Sequence, residues 1–396
     1  MGLFIPQDKF ENLKLYKYSA EDHSIISKHV LKKWWNKFVQ VFPMSMAPNV
    51  ITLLGLMFIV VNLLSVFYYD PYLSDSSPRW CYFFYAFGLF MYQTFDGCDG
   101  CHARRTKQSG PLGELFDHSI DAINTTFGTL VFASVFRTGY GTLLILAQFA
   151  SVCNFYMSTW EEYHTKTLYL SEFSGPVEGI LLLTSIYILT GILGPDIWHV
   201  KIFELDLSSL GFDEAFEVNS SVFCMVAGLG ALYFNIVGTM KNVKKHYEKQ
   251  NKGNLAKANE ISMVAYRGLI PFFAYYGSIT LFLWFYPEVL SKHCFPLIIS
   301  IGCTIAFSVG RIILAHLTLQ KFPIIQVPMF LPLFQLFISK ILISFYNYDE
   351  HKVLTAISWL GMGMTLGIHG VFVSEIIYEI TDYLDIYALS IKYKKA

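Results

Sequence analysis

The chain has 396 residues, of which 54% are hydrophobic and 15% charged, and its formal net charge is −1. A soluble domain is nearer a quarter charged, so this composition, with a mean hydropathy of +0.43, predicts a membrane protein. It excludes a disordered chain, a coiled coil and a secreted disulfide scaffold, and the charge balance gives no field that would attract nucleic acid.

The segment before the first apolar stretch has helical periodicity. Within residues 24–42, Ile26, Val30, Trp34 and Phe38 recur four residues apart, and lysines occupy the other face. This pattern is typical of an interfacial helix lying on the cytosolic leaflet. A solvent-exposed amphipathic helix is the alternative, which two adjacent tryptophans next to a membrane span disfavour.

Ten mainly apolar segments are each long enough, at about 20 residues, to cross a bilayer as a helix. They are 46–69, 81–101, 113–136, 141–160, 174–193, 218–240, 262–286, 294–316, 325–346 and 353–375. Lysine and arginine concentrate at alternate ends of these spans, whereas loop 194–217 is acidic. Because cytosolic loops carry the positive charge, both termini and loops 101–112, 161–173 and 241–261 are predicted to face the cytosol. We predict an all-α integral membrane protein with about ten transmembrane helices.

Four aspartates lie at the cytosolic ends of the second and third spans. Asp96 and Asp99 are three residues apart and Asp117 and Asp121 are four apart, so each pair shares a helix face. Four carboxylates at close range need cations to remain ionised, and oxygen-only ligands favour Mg²⁺ or Mn²⁺. Two such ions would clamp a phosphoryl group. We therefore predict a two-metal site for phosphoryl transfer.

Two other interpretations of this region are less favoured. The aspartates could be helix-end carboxylates paired with Arg104 and Arg105, but lone ion pairs seldom need four acids at membrane depth. Cys98 and Cys101 form C-x2-C, yet a zinc or redox site would need a second pair or a thioredoxin-like context, and neither is visible. The cysteines are interpreted as small buried hydrophobes.

The spacing of these residues resembles the signature of the CDP-alcohol phosphotransferase class-I family. The signature here is Asp96-x2-Asp99-Gly100-x2-Ala103-Arg104-x8-Gly113-x3-Asp117-x3-Asp121. Three further runs resemble the eukaryotic choline/ethanolamine phosphotransferase branch, fungal ethanolaminephosphotransferases above all: Pro48-Asn49-Val50-Ile51-Thr52, Gly110-Pro-Leu-Gly-Glu-Leu-Phe-Asp-His118 and Trp160-Glu-Glu-Tyr-His164. The resemblance covers essentially the whole chain.

The resemblance implies a reaction. The 3-hydroxyl of 1,2-diacylglycerol attacks the β-phosphorus of CDP-ethanolamine or CDP-choline, releasing CMP and forming phosphatidylethanolamine or phosphatidylcholine. The first three aspartates are implied to coordinate metal, and Asp121 to be a ligand or a base. A homodimer and a catalytic core of six spans are also implied. The expected parts are a cytosolic N-terminal segment 1–44, a catalytic core 45–240, a cytosolic linker 241–261, four supporting helices 262–375 and a cytosolic tail 376–396.

Candidate donor-binding residues surround the aspartates. Gly100 and Ala103 are small, so a nucleotide could lie against the helix backbone. Polar side chains nearby could contact ribose, cytosine or phosphate, although Asn49 could equally cap its own helix. The full candidate set is Asn49, Thr52, Gly100, Ala103, Arg104 and Glu114.

Two residues compete for the role of catalytic base. His118 directly follows Asp117, has a side chain suited to proton transfer, and points about 100° away from Asp117 on a helix. Asp121 is the rival, but metal coordination would lower its basicity. We favour His118; the alternative is that it only orients Asp117 or Asp121.

A second polar run ends the fourth span. Its aromatic and acidic side chains suit an ammonium headgroup, and the alternative is an aromatic belt with a charged helix end. The headgroup candidates are Trp160, Glu161, Glu162 and Tyr163. Three further polar residues within spans, Glu178, His316 and His369, receive no role from the sequence.

In the family that the chain resembles, ethanolamine-type members carry glycine after the first aspartate and choline-type members carry alanine. Gly97 therefore favours CDP-ethanolamine, and a cholinephosphotransferase with CDP-choline as main donor is the alternative. A transporter would place polar groups at the midplane between repeated halves, which are not evident. A sister enzyme with an inositol or phosphatidylglycerol-type acceptor would be shorter and lack the His118 context. The tail Lys392-Tyr393-Lys394-Lys395-Ala396 resembles a dilysine address for the endoplasmic reticulum, with the Golgi as the other expected membrane.

Overall fold

The structure, a computed structural model, describes residues 2–17, 19–22, 24, 26–170, 175–205, 216–252 and 254–393. Helices dominate these ranges. The α-helices are α1 Lys32–Phe38, α2 Pro48–Tyr69, α3 Arg79–Arg105, α4 Pro111–Phe136, α5 Thr142–Thr165, α6 Pro176–Leu193, α7 Ser220–Gln250, α8 Leu255–Tyr266, α9 Ile270–Phe285, α10 Glu288–Lys292, α11 Cys294–Leu317, α12 Leu331–Lys340 and α13 Glu350–Leu384. Shorter helical turns are Gln7–Leu15, Ser27–Leu31, Val39–Val41, Pro195–His199, Arg267–Leu269, Val327–Phe330 and Ile341–Phe345.

Within the described ranges, nine helical segments are long and apolar enough to cross a membrane. They are α2, α4, α5, α6, α7, α8 with α9, α11, α12 with its flanking turns, and α13. The predicted span that is not among these nine is the second, 81–101. It lies in α3, which has 27 residues and packs between α2 and α6. It is less apolar than the others because Gln93, Thr94 and two aspartates lie in its second half. The prediction of an all-α membrane protein of about ten spans is confirmed.

Local sequence explains where several helices begin. Proline occupies the first position of α2, α4 and α6, where its missing N–H costs no hydrogen bond. Asn219 caps α7 by accepting a hydrogen bond from the Val222 backbone N–H, and Asp349 caps α13 by accepting one from Lys352. The predicted span boundaries differ most at the C-terminal ends of two helices: α7 continues to Gln250 rather than ending at residue 240, and α13 continues to Leu384 rather than ending at residue 375.

The predicted interfacial helix is helical in the structure. It consists of the turn Ser27–Leu31, then α1, then the turn Val39–Val41. The Trp34 side chain is 38% exposed, whereas the Trp35 ring packs against the backbone of α3 at Gly97. The segment therefore lies against the carboxyl half of α3, next to the aspartates.

Helix α11 is the most buried of the apolar helices and joins the two parts of the chain. It packs against α4 and α5 of the expected catalytic core and against α13 of the expected support. One hydrophobic core includes residues of all these helices. The expected linker 241–261 is largely helical, since it contains the end of α7 and the first half of α8.

Two small sheets lie outside the bundle. Strand β1 (Ala20–Asp22) pairs in parallel with β2 (Leu168–Leu170), which ties the N-terminal segment to the loop after α5. Strand β3 (Lys201–Leu205) pairs antiparallel with β4 (Phe216–Asn219) in the acidic loop between α6 and α7. Before β1, the Phe4 ring packs against Phe307 of α11 and Phe372 of α13. The N-terminal segment is thus part of the helical core.

The contact of α11 with α4 predicts a sensitive position. A Cβ atom at Gly302 would lie 2.3 Å from Oγ1 of Thr126. We therefore expect Gly302→Ala to destabilise the protein by about 1–3 kcal/mol through overpacking. Gly128→Ala on α4 is the matched control because its Cβ would meet nothing within 4 Å. Thermal unfolding of both variants in detergent checks this, and equal midpoints would contradict the close helix packing.

Candidate active site

Three of the four aspartates meet where α3 faces α4. Asp96, Asp117 and Asp121 each offer a carboxylate oxygen, and these oxygens all lie within 4.8 Å of one another. Asp99 stands beside them, and its Oδ2 accepts a hydrogen bond of 2.5 Å from Oγ1 of Thr52 on α2. Three helices therefore hold the carboxylate cluster, as we call these four aspartates.

Neutral donors surround the carboxylate cluster. The Tyr92 hydroxyl donates to Asp121, and Nε2 of Gln93 lies 3.4 Å from Oδ2 of Asp96. Oδ1 of Asp117 is buried and has no hydrogen-bond partner among the described residues. Such an orphaned buried carboxylate oxygen is costly, which indicates that the site is completed by something else.

The neighbouring arginines do not supply that partner. Nη1 of Arg105 donates to the carbonyl oxygens of Val39 and Phe42, at 2.9 and 3.1 Å. Arg104 is exposed, and its Nη2 lies 3.3 Å from Sγ of Cys101. In the part of the chain that the structure describes, no lysine or arginine forms an ion pair with the cluster. A group of oxygen ligands with no lysine or arginine to neutralise its charge fits a hard divalent cation.

His118 points away from the cluster toward α5. Its Nδ1 lies 3.0 Å from the carbonyl oxygen of Glu114, and since a carbonyl can only accept, Nδ1 carries a proton. Nε2 lies 3.3 Å from Oε2 of Glu162. This is an ion-pair distance and not a hydrogen bond, since Oε2 of Glu162 has no hydrogen-bond partner among the described residues. We call them the His118–Glu162 pair.

A second acidic group adjoins this pair. The Tyr16 hydroxyl donates to the carboxylate of Glu114, and Oε1 of Glu114 lies 4.0 Å from Nε2 of His316 on α11. Nδ1 of His316 is in turn 3.4 Å from Nζ of Lys166, just after α5. Burial lowers the pKa of Lys166, and the negative charge of Glu162 opposes that shift. The region is therefore a continuous polar path from the N-terminal segment to α11.

Most of the donor candidates lie near the start of α2 and the end of α3. Nδ2 of Asn49 donates to the carbonyl oxygen of Ala388 at 3.0 Å, so the C-terminal tail covers this residue. Asn49 does not cap α2, whose N-cap is Ala47. A Cβ at Gly100 would lie 3.5 Å from Nη1 of Arg104, so the guanidinium packs beside the α3 backbone at this glycine. Ala103 is half-buried in the next turn.

Of the headgroup candidates, only Glu162 is in contact with His118 in the structure. Trp160 is fully buried, and its Nε1 donates to the Ala265 carbonyl oxygen at 3.1 Å. The Tyr163 hydroxyl donates to the Gln320 carbonyl oxygen at 2.7 Å. Glu161 is buried facing α7. These three side chains connect α5 to neighbouring segments.

Residues 45–205 match the profile of the CDP-alcohol phosphatidyltransferase family. A Saccharomyces cerevisiae protein named choline/ethanolaminephosphotransferase 1 is 50% identical over 400 residues, with 100% of both chains covered. The cholinephosphotransferase 1 of the same yeast is also 50% identical, again with 100% of both chains covered. An Arabidopsis thaliana choline/ethanolaminephosphotransferase 1 is 33% identical, with 97% of each chain covered.

The chain belongs to the CDP-alcohol phosphatidyltransferase family. Full-length identity places it in the choline/ethanolamine phosphotransferase branch, which confirms the resemblance seen in the sequence. It is therefore a transferase of phospholipid synthesis with several membrane-spanning helices. The family signature maps onto the end of α3 and the start of α4, where the carboxylate cluster lies.

Several partners of these signature residues were not evident from the sequence. Tyr92 precedes Asp96 by four residues, one helical turn, and this spacing could have identified it. Tyr16 and His316 gave no such signal because they are far from Glu114 in the chain. The Glu178 carboxylate accepts a hydrogen bond from Ser24. Lys394 and Lys395 of the predicted dilysine address lie outside the described residues.

Proposed function

We propose that this membrane transferase moves phosphoethanolamine or phosphocholine from its CDP-alcohol to the 3-hydroxyl of 1,2-diacylglycerol and releases CMP. The observation that carries this proposal is the carboxylate cluster beside the His118–Glu162 pair, on the helices that hold the family signature. The names of the two yeast relatives at 50% identity support both headgroups. The test is CMP release by the purified protein with diacylglycerol, Mg²⁺ and each CDP-alcohol in turn.

We propose Asp96, Asp99, Asp117 and Asp121 as the ligands of two Mg²⁺ or Mn²⁺ ions. Bound there, the ions would neutralise the phosphates and stabilise the charge that develops on transfer. The protein's part is to fix the carboxylates: Thr52 holds Asp99, and Tyr92 holds Asp121. Second-layer donors of this kind orient ligands. Thr52, which the sequence suggests for the nucleotide, also contacts the cluster in this arrangement.

The His118–Glu162 pair is the proposed acceptor of the hydroxyl proton. The Glu114 carbonyl fixes the Nδ1–H tautomer, so Nε2 is the nitrogen that exchanges protons. With Nδ1 protonated and Nε2 bare, Nε2 of His118 can take the proton as the O–H bond of the hydroxyl breaks, and the nearby Glu162 carboxylate stabilises the imidazolium that forms. Asp121 is the weaker candidate because it already accepts from Tyr92 and belongs to the carboxylate cluster.

Donor binding would use the backbone face at Gly100 and Ala103, with Arg104, Asn49 and Glu114 around it. Since the Asn49 amide is bonded to Ala388, a nucleotide that uses Asn49 would replace that contact. Nε2 of Gln108, between α3 and α4, donates to the Tyr393 carbonyl oxygen at 3.1 Å. The described tail is therefore placed to move when the donor enters.

We further propose that both termini and the carboxylate cluster face the cytosol, in the endoplasmic reticulum or Golgi membrane. The support is the alternation of basic and acidic loops along the chain. Diacylglycerol would reach the site from the bilayer, and CDP-ethanolamine or CDP-choline from the cytosol. A homodimer is the assembly that we propose from the family.

Headgroup preference gives a testable prediction. We expect the wild-type protein to use CDP-ethanolamine at least as well as CDP-choline. A Cβ at Gly97 would lie 2.2 Å from Cε2 of Trp35, so this position acts on the headgroup through the placement of α1 rather than by contact. Gly97→Ala should push Trp35 away and change the ratio of the two donors. Relative kcat/KM for both donors checks this.

The matched control is Gly128→Ala, whose Cβ would meet nothing within 4 Å and which should leave the donor ratio unchanged. A single methyl group changes the discrimination between two substrates by about 1–3 kcal/mol. The donor ratio of kcat/KM in Gly97→Ala should therefore differ from the wild-type ratio by no more than about 10- to 200-fold. A clear wild-type preference for CDP-choline would refute the assignment of Gly97 to ethanolamine-type members.

A further inference from the structure

A cluster of two histidines and a glutamate lies at the end of the bundle opposite to the aspartates. Glu288 begins α10, His293 directly precedes α11, and His351 is in the first turn of α13. The other end of α11 reaches His316, beside Glu114. Because α11 has 24 residues, the two ends are about 36 Å apart at 1.5 Å per residue. The cluster is therefore separate from the proposed active site.

The three side chains are already gathered as ligands would be. Each offers one ligand atom, and these atoms all lie within 4.8 Å of one another. Nδ1 of His351 is 2.7 Å from Oε1 of Glu288, and the rings of His293 and His351 are stacked with centroids 5.5 Å apart. His293 is only 5% exposed, whereas the side chain of His351 is 55% exposed. An ion could therefore enter from solvent on the His351 side.

A threonine one turn further along α13 fixes the tautomer of the buried histidine. Oγ1 of Thr355 donates to the His351 carbonyl oxygen at 2.7 Å, which uses its only hydrogen. The same oxygen lies 3.3 Å from Nε2 of His293 and must accept there. Nε2 of His293 thus carries the proton, and Nδ1 keeps its lone pair. A histidine whose second nitrogen donates to an oxygen is the usual arrangement of a metal ligand.

We propose that Glu288, His293 and His351 form a binding site for Zn²⁺. Two imidazoles and one carboxylate are a ligand set that zinc favours over Mg²⁺, which prefers oxygen ligands alone. Water would complete the coordination. Nζ of Lys292 lies 2.9 Å from Oε1 of Glu288, but this lysine is 58% exposed and can turn into solvent when the ion binds. The ion would join the segment before α11 to the start of α13.

The test uses full-length protein in detergent, stripped with EDTA and returned to buffer with millimolar Mg²⁺, which keeps the oxygen-only cluster occupied. Titration with Zn²⁺ should show a site at micromolar affinity or tighter, with a rise in the thermal midpoint. His351→Ala and Glu288→Gln should each weaken binding about 100-fold, and Thr355→Val about 10-fold. His199→Ala, a histidine outside the cluster, is the matched control and should bind as the wild type does.

Substitution with Co²⁺ gives a second readout, since a visible absorption band would report nitrogen and oxygen ligands around the ion. The band should vanish in His351→Ala and persist in His199→Ala. Equal Zn²⁺ affinity in wild type and in both cluster variants would overturn the proposal, as would no Zn²⁺ binding by the wild type. Because Glu288→Gln keeps the size of the side chain, it gives a result even if His351→Ala unfolds.

Discussion

Substitution of Asp96, Asp99 or Asp117 by alanine is expected to abolish turnover, with a loss of at least about 10³-fold in kcat. Each carboxylate belongs to the cluster that would hold the divalent ions. Removal of one takes away a metal ligand and one negative charge, so the remaining carboxylates would bind the ions more weakly. Packing should change little, since each substitution removes only a carboxylate group. CMP release and the thermal midpoint, measured on the same preparations, check both halves of this expectation.

Asp70→Asn is the matched control for this series. Asp70 is also a buried aspartate, but it lies beyond the other end of α2, where it accepts hydrogen bonds from Ser134 and the Ser74 and Asp75 backbones. Burial raises the pKa of Asp70. The variant should leave the Mg²⁺ dependence of the rate unchanged. Substantial activity in any cluster variant, or full activity in EDTA, would contradict the metal assignment.

His118→Ala is expected to lower kcat by about 10²–10⁴-fold, the usual scale for loss of a general base. Affinity for CDP-alcohol and for Mg²⁺ should change little, because His118 contacts Glu114 and Glu162 rather than the carboxylate cluster. Asp121→Asn should instead weaken Mg²⁺ binding together with the rate. CMP release across Mg²⁺ concentrations separates the two variants.

Glu162→Gln tests whether the glutamate acts through His118. The wild-type rate should fall as the pH is lowered, because protonation of the His118–Glu162 pair removes the acceptor. An amide cannot stabilise the imidazolium, so the acidic limb should move and kcat should fall while KM for the donor stays near its normal value. If His118→Ala retains near-normal turnover and the acidic limb survives in it, the proton goes elsewhere, and Asp121 becomes the better candidate.

Local patterns in the sequence are sufficient to predict the membrane-spanning helices and the proximity of the four aspartates. Apolar runs of span length follow directly from the bilayer thickness, and the spacings of Asp96 to Asp99 and Asp117 to Asp121 follow from the helical turn. The short loop between α3 and α4 then makes the two helices neighbours. Each of these inferences depends on residues that are close in the chain.

The contacts that were not predicted join residues far apart in the chain. The aromatic and acidic run predicts a headgroup contact for Glu162, and the structure adds that its carboxylate lies 3.3 Å from Nε2 of His118. Gly97 was interpreted as a specificity residue, and the structure shows Trp35 against it. Neither orientation can be read from a single sequence, since both depend on how α1 and α5 pack against α3 and α4.

Isotope transfer tests the central claim most directly. Diacylglycerol labelled with ¹⁸O at its 3-hydroxyl is supplied to the purified protein with Mg²⁺ and CDP-ethanolamine, and both products are analysed by mass spectrometry. If the hydroxyl attacks the β-phosphorus, the label is retained in phosphatidylethanolamine and is absent from CMP. Loss of the label from the phospholipid, or CMP released at the same rate without diacylglycerol, would contradict direct transfer.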